Sequence, residues 1–305
     1  MSRIILPTDH RSKVHRRFAI FSEPKHGKSR LATALPWGPL WGDFAAYIAW
    51  DPGSETLDST LAHHRAHIIA VQPGVNKDGK WDPHTEAVNL ARRDWAAGGP
   101  FTYYDAGKPV TVDLPPCGTI IWDTMTATAR DLLYAYADTG VFQGDKGDKH
   151  VAVGVPGSAA YMAAPMQGDY GFAQRTSMQL IATMLFKQRC NVIVLFHAGF
   201  IEPEGGIAAL TIGPATAGKA SIRDVAGLFD NLFRLDVRSK DLQTQSGIIK
   251  VNQHIVHTQK RGAYLAGIRT DHKINPIPEV VLEPDPVNFW EKVDEVQGYT
   301  TKAAA

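Results

Sequence analysis

The sequence lacks three features that would restrict its environment or its partners. Its 305 residues include only two cysteines, Cys117 and Cys190, which excludes a disulfide framework and indicates a reducing compartment. No apolar run approaches the ~20 residues of a transmembrane helix, and the N-terminal segment lacks the apolar stretch of a signal peptide. The 32 basic and 31 acidic side chains nearly balance, so composition gives no general attraction to polyanions. We therefore expect a cytoplasmic protein with no membrane partner.

Apolar segments alternate with helix-like segments, which indicates an α/β fold with a mostly parallel sheet flanked by helices. The final third instead contains three successive strand-like segments, which predict an antiparallel extension at one edge. The expected strands cover 18–21, 45–50, 67–71, 119–123, 191–196, 229–237, 247–256 and 263–270. The expected helices include 85–97 and an amphipathic segment marked by Met178, Ile181 and Leu185.

The expected domain organisation is one elaborated α/β domain over residues 17–283, preceded by a basic arm at 1–16. Residues 72–116 are polar and rich in Gly, Pro and Trp, so they are interpreted as an insertion or an elaborated crossover. Residues 284–305 are expected to form a C-terminal tail.

The segment SEPKHGKS, residues 22–29, carries most of the P-loop pattern G-x-x-x-x-G-K-[ST] between a strand and a helix. Its backbone N–H groups and the helix N-terminus are suited to phosphate, and Gly27 leaves room for it. Lys28 is expected to reach the β- and γ-phosphates, and the Ser29 hydroxyl to bind Mg²⁺. The nucleotide-binding set is Ser22, Glu23, Pro24, Lys25, His26, Gly27, Lys28, Ser29 and Arg30.

Two features of this pattern argue against it. A GKS tripeptide also occurs by chance in surface turns, although the strand before it and the helix after it favour the nucleotide site. In addition, Ser22 replaces the first glycine, and serine adopts positive φ less readily than glycine.

Asp123 lies at the end of the apolar strand TIIWD, where a buried carboxylate is costly unless a group pairs with it. An Mg²⁺ ion shared with Ser29 would supply that partner, so Asp123 is expected to be the Walker-B carboxylate. The alternative is a helix N-cap, because Asp123 precedes the helix-like segment TMTATARDLL.

Hydrolysis also needs a group that orients the attacking water. Asp51 and Glu55 follow the second strand, at the edge where ligands bind in open α/β sheets. Glu55 is slightly favoured, because Asp51 precedes Pro52 and Gly53 and suits a turn. His197 follows the strand NVIVLF at the same expected edge and is a further catalytic candidate, which could sense the γ-phosphate; the alternative is a structural histidine.

The order of these motifs resembles that of RecA-like ATPases: a P-loop, an acidic turn, IIWDT, and then NVIVLFH before a glycine-rich loop. GPATAGK at 213–219, VAGLFD at 225–230 and YLAGIRT at 264–270 look like phage-encoded members, including the Sak-type single-strand annealing ATPases. The resemblance covers about residues 17–270. It implies ATP hydrolysis on single-stranded DNA in recombination, annealing or repair, self-association into a filament or ring, and a single-strand binding protein as partner. A phage protein would act in the cytoplasm of a bacterial host.

The resemblance also implies roles for residues outside the P-loop. Lys219 and Arg269 are candidates to reach the γ-phosphate of an adjacent subunit. The loops 139–170 and 198–218 correspond to the DNA-channel loops, where Lys146 and Lys149 would meet phosphates and Phe200 would stack on bases. The basic arm, with Arg11, Lys13, Arg16 and Arg17, is a further candidate for DNA contact, and the alternative is a solvated arm. Two other functions stay open: a ring-forming helicase-like motor and a non-motor nucleotide-dependent switch.

Overall fold

The computed structural model describes residues 15–51, 57–58, 60–105, 107–139, 152–153, 162–163, 165, 167–201, 210–218, 221–244, 247–269 and 277–299. The strands are β1 (Arg17–Ser22), β2 (Ala45–Ala49), β3 (Ile68–Val71), β4 (Gly99–Asp105), β5 (Lys108–Leu114), β6 (Thr119–Asp123), β7 (Ala152–Val153), β8 (Met162–Ala163), β9 (Asn191–Ile201), β10 (Thr211–Pro214), β11 (Asn231–Thr244), β12 (Gly247–His257) and β13 (Glu279–Val281). The helices are α1 (Lys28–Thr33), α2 (Ala62–Arg65), α3 (Pro83–Arg92), α4 (Met125–Thr139), α5 (Gln167–Lys187), α6 (Ser221–Gly227) and α7 (Val287–Val296).

The main sheet has the strand order β13-β12-β11-β1-β9-β6-β2-β3, with β10 paired to β9 beside this path. From β11 to β3 neighbouring strands are parallel, whereas β12 and β13 continue the sheet in antiparallel pairing. The structure therefore confirms the predicted α/β architecture, a mostly parallel sheet flanked by helices with an antiparallel C-terminal extension. The carboxyl ends of β1, β2, β6 and β9 lie at one edge of the sheet, as parallel pairing requires.

The sheet separates two apolar cores, because successive residues of a strand point to opposite faces. Ala19 and Phe21 of β1 face the core that packs under α3, α4 and α5. Phe18 and Ile20 face the other core, which packs under α1 and α7. Every residue of β2 and of β6 is buried, consistent with strands covered on both faces.

Three strand predictions differ substantially from the structure. The strand expected at 229–237 is β11, which continues to Thr244. β9 does not end before His197 but continues to Ile201 and forms a hairpin with β10, in which Phe200 is opposite Ile212. The strand expected at 263–270 is wrong, because its described residues, 263–269, make only isolated bridges, from Tyr264 to Ile212 and to Arg261, and from Gly267 to Leu232. The segment 72–116 contains α3 and the β4–β5 hairpin.

Both ends of the described chain pack against the second core. The region expected as a tail contains α7, whose Phe289 and Trp290 are fully buried. Arg16, expected in a basic arm that meets DNA, is also buried: it pairs with Asp294 and lies 4.0 Å from the centroid of the Trp41 ring. The expectation for Arg16 is therefore wrong, because its charge is neutralised inside the protein. Residues 1–14 lie outside the described part.

Within the described residues, no helix has both the length and the apolar character to cross a bilayer.

Candidate nucleotide site

The turn between β1 and α1 has the backbone conformation of an anion-binding loop. Gly27 has φ of 89° and directly precedes α1, and Lys25 has φ of 64°. Ser22 ends β1 in extended conformation and has no positive φ. The glycine missing at position 22 is therefore not required by the backbone, so the objection raised by Ser22 does not hold.

Lys28 points back over the turn that precedes it. Its Nζ atom donates to Ser22 Oγ at 3.1 Å, to the Ser22 carbonyl at 3.3 Å and to the Glu23 carbonyl at 3.1 Å. Burial lowers the pKa of Lys28 to about 8, and the carboxylates of Asp123, Glu23 and Asp51 partly oppose this effect. A buried cation beside an exposed loop that leads into a helix is an arrangement that suits a polyphosphate.

Asp123 faces this lysine from the end of β6. Ser29 Oγ and the Tyr47 hydroxyl both donate to its Oδ2 atom. Burial raises the pKa of Asp123, whereas the hydrogen bonds from Ser29 and Tyr47 and the charge of Lys28 lower it. The N-cap alternative for Asp123 is wrong, because Thr124 Oγ1 accepts from the Ala127 N–H at 3.1 Å instead.

The donor set fits a magnesium ion. The Ser29 hydroxyl and the Asp123 carboxylate both offer oxygen atoms as metal ligands, and they contact each other beside the phosphate loop. Mg²⁺ prefers oxygen ligands and is commonly held by one or two protein groups together with substrate phosphates.

Asp51 and His197 lie beside these groups. His197 Nε2 is 4.0 Å from Asp51 Oδ2, and His197 is opposite Ser22 in the β1–β9 register. Burial lowers the pKa of His197, as does the charge of Lys28, so the imidazole is mainly neutral near pH 7. The structure thus brings together Lys28, Ser29, Asp51, Asp123 and His197. Glu55 falls outside the described residues.

The other predicted residues lie elsewhere or are not described. Arg30 donates to the Pro284 carbonyl and lines a cavity next to the P-loop. Phe200 lies on the β9–β10 hairpin and is 50% exposed. Arg269 pairs with Asp230 at 3.2 Å, near the amino-terminal end of β11 and opposite the P-loop edge. Lys146, Lys149 and Lys219 fall outside the described residues.

A cavity of about 300 Å³ lies next to the P-loop, on the side of β12 and α7. His254 of β12 forms part of its wall and places Nδ1 3.0 Å from the His26 carbonyl. The lining residues are Lys25, Gly27, Arg30, Leu31, His254, Leu282, Glu283 and Pro286.

A second cluster contains His63, His64 and Asp285. The Nε2 atoms of both histidines lie 2.9 Å from the two Asp285 carboxylate oxygens. Trp37 Nε1, which can only donate, contacts His64 Nδ1 at 3.0 Å, so in neutral His64 the proton lies on Nε2. A proton on Nε2 occupies the lone pair that a metal would need, so the cluster is a hydrogen-bonded link between α2 and the start of α7.

Sequence reasoning missed Tyr47 and His254. Tyr47 carries the one polar side-chain group in the apolar strand AAYIA. This pattern could have indicated a hydrogen-bond partner at the site, since a buried tyrosine hydroxyl normally has one. His254 has no such signal, because its strand comes to the P-loop only through the antiparallel extension.

No protein-family model and no curated protein matches this sequence. Among solved structures, the crystal structure of the RadB recombinase is similar with a TM-score of 0.38 and 12% identity, covering 81% of this chain and 84% of that chain. An ATPase from the type III secretion system of pathogenic bacteria is similar with a TM-score of 0.37 and 11% identity. That similarity covers 73% of this chain and only about half, 51%, of the secretion ATPase.

Proposed function

We propose that this protein binds ATP together with Mg²⁺ at the β1–α1 turn and hydrolyses the γ-phosphate. The observation that carries the proposal is the contact between Ser29 and Asp123 next to Lys28, at the N-terminus of α1. This is the set of groups that phosphoryl transfer from a nucleoside triphosphate uses. The cavity bounded by His254 and Leu282 has room for the nucleobase beside the loop.

Each residue has a separate part in the proposed reaction. The loop N–H groups and Lys28 bind the β- and γ-phosphates, and Ser29 with Asp123 would hold Mg²⁺. Bound Mg²⁺ supplies charge neutralisation on the phosphate oxygens. Asp51 or Glu55 orients the attacking water, and neutral His197 contacts the γ-phosphate from β9.

Lys28→Ala tests this proposal, because it removes the cation that the phosphates require. We expect binding of a fluorescent ATP analogue to fall by at least about tenfold and hydrolysis to become undetectable. Lys187→Ala, which removes an exposed lysine at the end of α5, is the matched control and should behave as wild type. Wild-type ATP hydrolysis in Lys28→Ala would falsify the proposal.

We further propose that the ATPase acts on single-stranded DNA and self-associates, as a phage-type RecA-like protein would. The order of the sequence motifs implies this function. The supporting observation is that His197 and exposed Phe200 lie on the same strand, three residues apart. A change at the γ-phosphate can therefore reach the hairpin that would stack on bases.

The DNA proposal is tested by comparing ATP hydrolysis with and without single-stranded DNA. We expect stimulation by DNA in wild type and its loss in Phe200→Ala, with unchanged basal hydrolysis. Electron microscopy with an ATP analogue, with and without DNA, then separates a filament from a closed ring. Closed rings with strand-displacement activity would favour the motor, and tight ATP binding without turnover or DNA response would favour the switch.

A further inference from the structure

Tyr47 is the second hydroxyl that contacts the Asp123 carboxylate. We propose that Tyr47 is a positioning residue for the divalent cation of the nucleotide site, and that it acts through Asp123. The inference rests on the proposed function, since it concerns how the same site holds Mg²⁺.

The strand register brings Tyr47 to Asp123. In the parallel β2–β6 pair, Tyr47 is opposite Ile121, and Ala49 is opposite Asp123. Residues two positions apart on a strand point to the same face, so the Tyr47 side chain reaches Asp123 along the diagonal. The ring is 2% exposed and belongs to the apolar core that also contains Leu31 of α1. Packing on all sides therefore fixes where the hydroxyl lies.

The direction of the hydrogen bond follows from the chemistry of the two groups. A phenol carries one O–H and a carboxylate oxygen offers lone pairs, so Tyr47 donates and Asp123 accepts. Within the described residues, the side-chain donors to this carboxylate are Ser29 and Tyr47, and both use Oδ2.

This arrangement determines how Ser29 can serve a cation. The Ser29 oxygen can offer a lone pair to Mg²⁺ only when its proton points elsewhere, and here the proton points to Asp123 Oδ2. Tyr47 holds that same oxygen from the side of β2. Without the Tyr47 hydroxyl, Asp123 would be tethered by Ser29 alone, and groups that orient metal ligands typically contribute about 10- to 100-fold to metal affinity or activity.

A purely structural role for Tyr47 predicts something different. A buried tyrosine that only satisfies its hydroxyl would change the stability of the fold when replaced by phenylalanine. It would leave the affinity of the folded protein for the cation unchanged.

The experiment measures cation binding directly, without turnover. Mn²⁺ is titrated into the full-length protein with a non-hydrolysable ATP analogue, and free Mn²⁺ is followed by electron paramagnetic resonance. For Tyr47→Phe we expect Mn²⁺ affinity to fall about tenfold. Binding of the analogue in EDTA should stay within about twofold, because the Lys28 contacts do not involve the cation. Tyr136→Phe, which removes a phenol bonded to Thr176 Oγ1 at 2.6 Å, is the control and should match wild type.

Coupling distinguishes positioning from indirect damage. In an Asp123→Ala background, Tyr47→Phe should cause no further loss of Mn²⁺ affinity, because the group that it positions is absent. Should Tyr47→Phe fail to fold, 4-aminophenylalanine in place of Tyr47 provides a second variant, because its amino group occupies the position of the phenol oxygen and can donate to the same carboxylate. We expect this second variant to retain Mn²⁺ affinity within about threefold of wild type, since a retained donor keeps Asp123 in place.

Two outcomes separate failure of the inference from failure of the proposed function. Wild-type Mn²⁺ affinity in folded Tyr47→Phe, or a tenfold loss in the 4-aminophenylalanine variant, overturns the role of Tyr47 and leaves the nucleotide site intact. If the wild-type protein binds neither the analogue nor Mn²⁺, the proposed function itself is wrong.

Discussion

Lys28 is hydrogen-bonded to the hydroxyl of Ser22, the residue that stands where the P-loop pattern has its first glycine. Binding of a triphosphate requires the ammonium group to exchange this contact for phosphate oxygens. Ser22→Gly removes the hydroxyl and leaves the two carbonyl acceptors, so the nucleotide-free state loses one hydrogen bond. A net hydrogen bond contributes about 0.5–1.5 kcal/mol, so we expect nucleotide affinity to rise roughly two- to tenfold. Isothermal titration calorimetry with an ATP analogue measures the change.

Ser22→Thr is the matched control, because it retains a hydroxyl at the same position. We expect Ser22→Thr to bind the analogue as wild type does. Weaker binding in Ser22→Gly would mean that the serine contacts the nucleotide itself rather than competing with it.

A second prediction concerns the cavity beside the P-loop. Leu282→Trp should fill space that the proposed nucleobase needs, while the phosphate loop stays unchanged. We expect at least about a tenfold loss of ATP affinity, as expected when a base is excluded from its pocket. The affinity for inorganic tripolyphosphate should stay near that of wild type.

Val281→Trp is the control, because Val281 is the preceding residue of the segment and is 47% exposed. Equal losses for ATP and tripolyphosphate would show that the cavity does not hold the base.

Local patterns were sufficient for the parts of the site that are contiguous in sequence. The P-loop and the strand ending at Asp123 each combine an apolar run with a specific polar residue, and the sheet follows from their alternation with helices. These predictions needed no knowledge of which strands are neighbours.

Contacts between distant segments could not be predicted in the same way. Arg16 reads as part of a basic arm, because its partner Asp294 is 278 residues away. The role of Tyr47 depends on β2 being adjacent to β6, which the chain order does not specify. The segment around Gly267 has a strand-like composition, but in the structure it meets Leu232 of β11 only through an isolated bridge.

Stability should depend on pH through buried histidines. Burial lowers the pKa of His64, although the Asp285 carboxylate opposes the effect. Below about pH 6.5, the unfolded chain takes up a proton that folded His64 does not. The free energy of unfolding therefore decreases as the pH is lowered. The same sign holds for His197 and His257, whose pKa values are also lowered by burial. We expect the melting temperature to decrease between pH 7.5 and 5.5.

His64→Gln isolates one part of this effect, since glutamine can both accept and donate hydrogen bonds but does not titrate. The variant should be less stable than wild type at pH 7.5, and its melting temperature should depend less on pH. An unchanged pH dependence in His64→Gln would contradict the assignment.

The last prediction concerns the buried pair of Arg16 and Asp294. Asp294 accepts from the Arg16 guanidinium and from Trp41 Nε1 at 2.9 Å, and the Arg16 side chain is 6% exposed. Asp294→Ala leaves a buried cation without its counter-charge, which typically costs about 3–5 kcal/mol of folding free energy. Urea unfolding followed by tryptophan fluorescence measures the loss.

Replacing both partners, in Arg16→Met/Asp294→Leu, should restore most of the lost stability, because the cost arises from the unpaired charge. Asp230→Ala breaks the exposed pair with Arg269 and should cost less than about 1 kcal/mol. Similar losses in Asp294→Ala and Asp230→Ala would show that burial of Arg16 does not determine the energy of its pair.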